Sequence, residues 1–239
     1  MGAGVYTTGM TRGILIAGNE SALSRAIETE TAKRVGHFAV ALIPNRLSEP
    51  PRSQVPAGGS RAGPADFARI PLEWNPGSPI SARTLVLAAE NRQERIDEAI
   101  LICAPPSIRR SAAELPLPVI EILINDHIKS WFFLVRELAA LFRSRQSGTL
   151  ALVYTDINSG GEKDDAADLL GPSSLASFQA LTRSLLASAF SEPYVTMGFS
   201  CSDAGNEAGF ASFVLKLIDE GSKRNNGKLY KYGKLKLFK

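Results

Sequence analysis

The feature that most constrains this chain is a repeated switch between short runs that are apolar throughout and longer segments of helical period. The runs are Gly13-Ile-Leu-Ile-Ala17, residues 37–43, Ala99-Ile-Leu-Ile-Cys103, residues 149–154 and residues 194–199. A run with no polar face has no side to turn to water, so each reads as a strand covered above and below. Between the runs lie helical patterns. Leu23, Ala26, Ile27 and Ala32 share one face before Gly36, residues 81–94 form a helix with Ser81 as its cap, and residues 119–145 form a long helix closed by Gly148. Residues 174–189 and 206–220 complete the set. Pro71 cannot donate to a ladder, so the weak strand over 67–72 belongs near a sheet edge, and residues 228–238 read as a final strand. Strand and helix in alternation predict an α/β fold, a three-layer doubly wound parallel sheet in one domain spanning 1–239. Residues 1–12 are expected to be a flexible N-terminus, and the Pro-, Gly- and Ser-rich stretch 45–65 a flexible loop or insertion.

Composition removes several classes of function. A chain of 239 residues buries enough surface to need no disulfide or metal. A net charge of +3 is too weak to imply a polyanionic partner for the chain as a whole. The apolar runs are broken by charge or Pro short of membrane-spanning length, and residues 1–12 carry no secretion signal. Cys103 and Cys201 form no framework, which points to the reducing cytoplasm, and two His and two Cys far apart give no zinc site.

Ligands of such sheets bind beyond the carboxyl ends of the strands, near the reversal in strand order. The first such loop reads Ala17-Gly18-Asn19-Glu20-Ser21-Ala22-Leu23-Ser24. A phosphate cradle needs glycines, because any Cβ holds the backbone N–H groups away from the anion. Gly18 stands in such a position, Ala22 and Ser24 are small but not Gly, and Glu20 brings a negative charge to the place. Gly18, Asn19, Ala22 and Ser24 are the candidate cofactor-binding residues.

The run Gly-Ile-Leu-Ile-Ala-Gly-x5-Ser-Arg-Ala-Ile from Gly13, the segments Arg95-Ile-Asp-Glu-Ala-Ile-Leu-Ile-Cys103 and His127-Ile-Lys-Ser-Trp-Phe-Phe-Leu-Val-Arg136, then Gly148-Thr-Leu-Ala-Leu-Val153 and Ala180-Leu-Thr-Arg-Ser-Leu185, follow one another in a familiar order. Together they resemble the short-chain dehydrogenase/reductase family from about Gly13 to Phe238. The resemblance implies a Rossmann-like fold, NAD(P) as cofactor and oxidoreductase chemistry. It also implies positions for the functional residues, and there the chain departs from the family. The Asn-Asn-Ala-Gly turn is Cys103-Ala104-Pro105-Pro106, the Asn of the central helix is His127, and the catalytic Ser falls near Thr155. The Tyr falls on Gly171 and the Lys on Leu175; the cofactor-selecting residue falls near Ile43 and Pro44, and the Pro-Gly pair is absent from Ser200-Cys201-Ser202-Asp203. Thr155 and His127 are positional remnants of the catalytic set.

Proton donation in this family needs a Tyr acidified by a neighbouring Lys⁺, and neither Gly171 nor Leu175 offers either group. The favoured reading is therefore a non-catalytic or strongly divergent homologue, a pseudoenzyme for which NAD(P) is implied only by resemblance. An alternative is an oxidoreductase with relocated groups, such as Tyr154 with Lys163 beside Asp164 and Asp165, or a thiol–imidazole pair of Cys103 and His127. A third is a nucleic-acid or protein interaction module built on residues 223–239, which hold seven Lys or Arg, no acid, and Tyr230 and Tyr232 between them. Lysines protecting an edge strand explain that segment better, so nucleic acid is disfavoured. The long helix is apolar on nearly every face, including Trp131, Phe132 and Phe133, which predicts a homodimer or homotetramer through the 119–145 and 174–189 helices.

Overall fold

The computed structural model describes residues 12–44, 68–108, 110, 112–156, 168–203, 205–221 and 223–233. Its strands are β1 (Ile14–Asn19), β2 (Phe38–Ile43), β3 (Arg69–Pro71), β4 (Glu98–Cys103), β5 (Thr149–Thr155), β6 (Val195–Cys201) and β7 (Lys228–Tyr232). They form one parallel seven-stranded sheet in the order β3-β2-β1-β4-β5-β6-β7. The chain builds outward from β1 to β3, then returns to lay β4 against the other side of β1. The switch point, where ligand crevices open in such sheets, thus lies between β1 and β4.

Helices cover both faces, as the wholly apolar strands require. On one face α1 (Ala22–Ala32) and α6 (Glu207–Asp219) pack Leu23, Ile27, Phe210 and Val214 over Ile16, Ile100, Val153 and Phe199. On the other, α2 (Pro79–Gln93), α3 (Leu117–Ile124), α4 (Ser130–Arg145) and α5 (Leu170–Ser188) cover Leu15, Leu101, Leu152 and Tyr154. Trp131, Phe142 and Phe178 fill the space between helix and sheet. Trp131 meets Phe178 edge-on at 5.0 Å, a geometry favoured by the ring quadrupoles.

Three local expectations are corrected. The helix placed at 81–94 starts at Pro79, a residue suited to a first turn, and its cap is Ser78, whose hydroxyl accepts from Ser81 N–H. Ser81 instead accepts from the Asn75 N–H at 2.7 Å. The long helix starts at Leu117 and is interrupted over Asn125–Lys129 by a π turn, in which the Ser130 N–H reaches back to the Asn125 carbonyl. The helix expected from 174 begins at Leu170, its Gly171 N–H bound by the Asp168 carboxylate at 3.0 Å.

Both edge assignments agree with the sheet order. β3 holds Pro71 at one border and β7 holds Lys228 and Lys231 at the other. Tyr230 stacks on Phe199 at 5.6 Å and Tyr232 tilts against Phe210 at 5.5 Å. Both rings are occupied inside the fold rather than offered to bases. Residues 234–239, 45–65, 1–11 and Lys163, Asp164 and Asp165 lie outside the described residues.

Candidate functional site at the switch point

The β1 end shows why each candidate residue is there. Gly18 is the fifth residue of β1, at φ +151°, and a Cβ on it would overlap the Ile102 carbonyl of the adjacent β4. Its missing side chain is required by strand packing. The next residue, Asn19, is 3% exposed and accepts a hydrogen bond from the Ala104 N–H at 2.9 Å. Its amide nitrogen lies 3.1 Å from Nδ1 of His127. One side chain thus joins β1, the loop after β4 and the π turn.

The start of α1 is closed on itself. Ser21 is the N-cap, its hydroxyl accepting from Ser24 N–H at 3.1 Å, while Ser24 Oγ accepts from Ser21 N–H at 2.9 Å. Such a reciprocal capping box satisfies two of the donors a helix start offers an anion. Ser24 is fully buried, Ala22 is exposed, and the exposed Glu20 carboxylate pairs with Arg25 at 3.5 Å. Ile43 places its carbonyl on the Glu20 N–H at 3.0 Å and has no polar side chain for a ribose.

The remnants Thr155 and His127 are not brought together. Tyr154 belongs to the apolar cluster beneath α4 and α5, so alternation along β5 turns Thr155 to the opposite face, in register with Cys201 of the other cluster. His127 sits in the π turn on the first face, 5% exposed, and burial lowers its imidazole from 6.5 to about 4. Cys103 is wholly buried in the core with its thiol pushed up by burial, and the imidazole is bound to Asn19, so the sulfur is inert by environment.

Where the resemblance puts the family's Tyr, Gly171 is closely surrounded. A Cβ on Gly171 would stand 2.8 Å from the Asp168 carboxylate and 3.0 Å from the Pro106 carbonyl. Leu175, one turn on, packs into the apolar cluster. Tyr154 is 3% exposed, and burial first, then Asp156, raises its phenol above the ordinary value. Asn19 as a three-way tie and Asp168 as the acceptor for the Gly171 N–H of α5 went unrecognised in the sequence. For Asp168 the signal was present: an acid three residues before the first-turn Gly171.

Overlay on solved structures settles the architecture. The fold is that of the short-chain dehydrogenases. A short-chain dehydrogenase from Mycobacterium smegmatis matches with a TM-score of 0.70 over 95% of this chain and 94% of that chain, at 13% identity. The acetoin dehydrogenase YohF from Salmonella typhimurium matches with a TM-score of 0.69 over 93% of this chain and 94% of that chain, at 12% identity. A putative short-chain dehydrogenase/reductase from Burkholderia xenovorans gives the same TM-score of 0.69 at 12% identity, with 93% of this chain and 94% of that one covered. No protein-family model and no curated protein sequence matches the chain. At such identity the likeness is one of fold, and function must be argued from the residues. On this short-chain dehydrogenase scaffold, no helix among the described residues is long and apolar enough to cross a membrane. Among those residues there is also no cluster of three or more His, Cys, Asp or Glu able to hold a metal.

Proposed function

We propose that this chain is a strongly divergent member of the short-chain dehydrogenase/reductase family that keeps the scaffold and has lost hydride-transfer chemistry. The observation that carries this reading is Gly171, where the Asp168 carboxylate and the Pro106 carbonyl stand in the space a catalytic Tyr would enter. Leu175, half-buried against apolar neighbours, supplies no cation to acidify a donor. The turn after β1 is a poor fit for a pyrophosphate: its capping box takes up two of the donors, Glu20 adds negative charge, and Gly18 serves strand packing. No step through a nicotinamide is therefore assigned. A relocated acid at Tyr154 is opposed by its burial, which makes the phenol weaker as an acid.

The retained job is binding, of a partner chain or a small molecule. The outer side of α3 and α4 leaves Phe132 51% and Ile124 36% exposed, and α5 turns Ala176, Ala180 and Ala187 outward. A second copy packed on these helices would cover that surface, giving a homodimer or homotetramer through 119–145 and 174–189. Sedimentation at micromolar concentration is expected to show a dimer or tetramer, and a clean monomer would remove this part of the reading. The two free, buried cysteines suit the reducing cytoplasm.

Calorimetric titration with NADH and NADPH tests the central claim. The expected result is no heat of binding up to millimolar cofactor. Saturable binding of either dinucleotide would overturn the loss of the cofactor site and return the oxidoreductase reading.

A further inference from the structure

The hydrogen bonds around Asn19 decide which nitrogen of His127 carries its proton. The Ala104 N–H can only donate, so the Asn19 atom facing it at 2.9 Å is the amide oxygen. The amide nitrogen is then the atom facing Nδ1 of His127 at 3.1 Å, and it too can only donate. Nδ1 must therefore be a bare acceptor. In a neutral imidazole that places the proton on Nε2. Turning the amide over would set its NH2 against the Ala104 N–H and lose that bond. Protonating Nδ1 would set two donors face to face.

We propose that Asn19 is a positioning residue that holds His127 as the neutral Nε2–H tautomer, and that protonation of this imidazole opens the tie between the β1–β4 crevice and the π turn. The inference goes beyond the loss of hydride transfer and holds whether or not a dinucleotide binds. Three elements meet at this tie. Asn19 ends β1, Ala104 follows β4, and His127 lies in the π turn packed against α3, α4 and α5. The charged side chains of these elements nearest in sequence to the turn are Glu121 of α3, Asp126 and Lys129 of the turn itself, Arg136 of α4 and Asp168 ahead of α5. Burial alone lowers the imidazole. The site therefore presents a neutral imidazole and not a cation through the ordinary range of pH. Its acid response is all-or-none at the level of one hydrogen bond.

The test uses the full chain. Nitrogen-15 spectra of the side chains report tautomer and titration directly, and with only two histidines the His37→Gln variant assigns the signals. The expected signature at neutral pH is a protonated Nε2 and a bare Nδ1 on His127. Hydrogen exchange reads the other end of the tie: the protection factor of the Ala104 amide should fall about tenfold or more as His127 takes up its proton. His127→Gln keeps an acceptor for Asn19 and cannot titrate, so there the protection should stay constant across the same range. Asn19→Asp replaces the donor facing Nδ1 with an acceptor. His127 should then carry a proton on Nδ1 and titrate at least about one pH unit higher. A protonated Nδ1 in the unsubstituted protein, an unchanged tautomer in Asn19→Asp, or an acid loss of protection that persists in His127→Gln would each overturn the proposal. If a variant does not fold, the tautomer and the coincidence of the two titrations in the unsubstituted protein still decide it. Cofactor titration reads none of these signals, so the fate of the functional reading stays separate.

Discussion

Between pH 4.5 and 6.5 the unfolding free energy of the unsubstituted chain is expected to stay nearly level, while Glu98→Gln and His127→Gln tilt it in opposite directions. Glu98 opens β4 and is 7% exposed. Arg12 binds its Oε1, whereas Oε2 is buried with no hydrogen-bond partner. Desolvation outweighs Arg12, and Asp219 and Asp97 add to it, so the carboxyl rises from 4.5 to about 7. The folded state then binds more protons than the unfolded state between those values, and stability rises as pH falls through that window. His127 does the reverse. Its folded value of about 4 lies below the unfolded 6.5, so the unfolded state takes up the proton first and stability falls as pH drops from 6.5 to about 4.

Each slope is about 1.4 kcal/mol per pH unit, so in the shared window the two nearly cancel. Removing Glu98 exposes the histidine term, and Glu98→Gln should lose on the order of 3 kcal/mol on acidification from pH 6.5 to 4. His127→Gln should gain about as much from pH 7 to 4.5. Glu30, lowered chiefly by Lys33, sheds its contribution as pH falls below 4.5 and so lies outside the shared window. Denaturant melts at half-unit steps of pH measure all three proteins. Parallel profiles for the variants and the parent would refute the assignment.

Gly18→Ala is expected to cost about 2–6 kcal/mol in the absence of any ligand, enough to unfold a marginal domain. Two penalties add. A left-handed φ of +151° is strained for any L side chain, and the new methyl would meet the Ile102 carbonyl of β4. Backbone cannot yield there without breaking the β1–β4 register, Gly18 with Ile102. A glycine kept only for phosphate approach would tolerate Ala with little change in the unliganded protein. The comparison is Ser21→Ala at the neighbouring cap, expected to cost about 1 kcal/mol. Equal denaturation midpoints for Gly18→Ala and the parent would restore the phosphate role.

Much of this fold could be read from residue order. Runs such as Ile100-Leu101-Ile102 have no polar face and so demand cover on both sides, which yields a parallel sheet with helices on each. Pro71, which lacks a ladder donor, and the lysines of 228–232, whose charge discourages edge pairing, marked the two edges for local reasons. Helix starts were less legible. Ser78 and Ser81 are both good caps three residues apart, and only the Asn75 backbone, folded back onto Ser81, separates them. The π turn left no mark in the periodicity, because residues 117–145 are apolar on nearly every face.

The site divides the same way. That Gly171 has no side chain and Leu175 no charge was visible in the chain, since each is a property of the residue itself. Of what stands around Gly171, Asp168 lay within reach of the sequence, three residues ahead, but Pro106 did not, because it comes from a segment more than sixty residues away. The sequence offered Gly18 as a glycine suited to an anion, and only the structure showed that β4 also leaves no room there for a Cβ. The pleat of β5 likewise puts Thr155 and His127 on opposite faces. The sequence by itself determined a parallel α/β scaffold, because burial patterns are local. Only the tertiary structure decided that Asn19, Ala104 and His127 meet, since a hydrogen bond across 108 positions exists only once the sheet has brought its strands together.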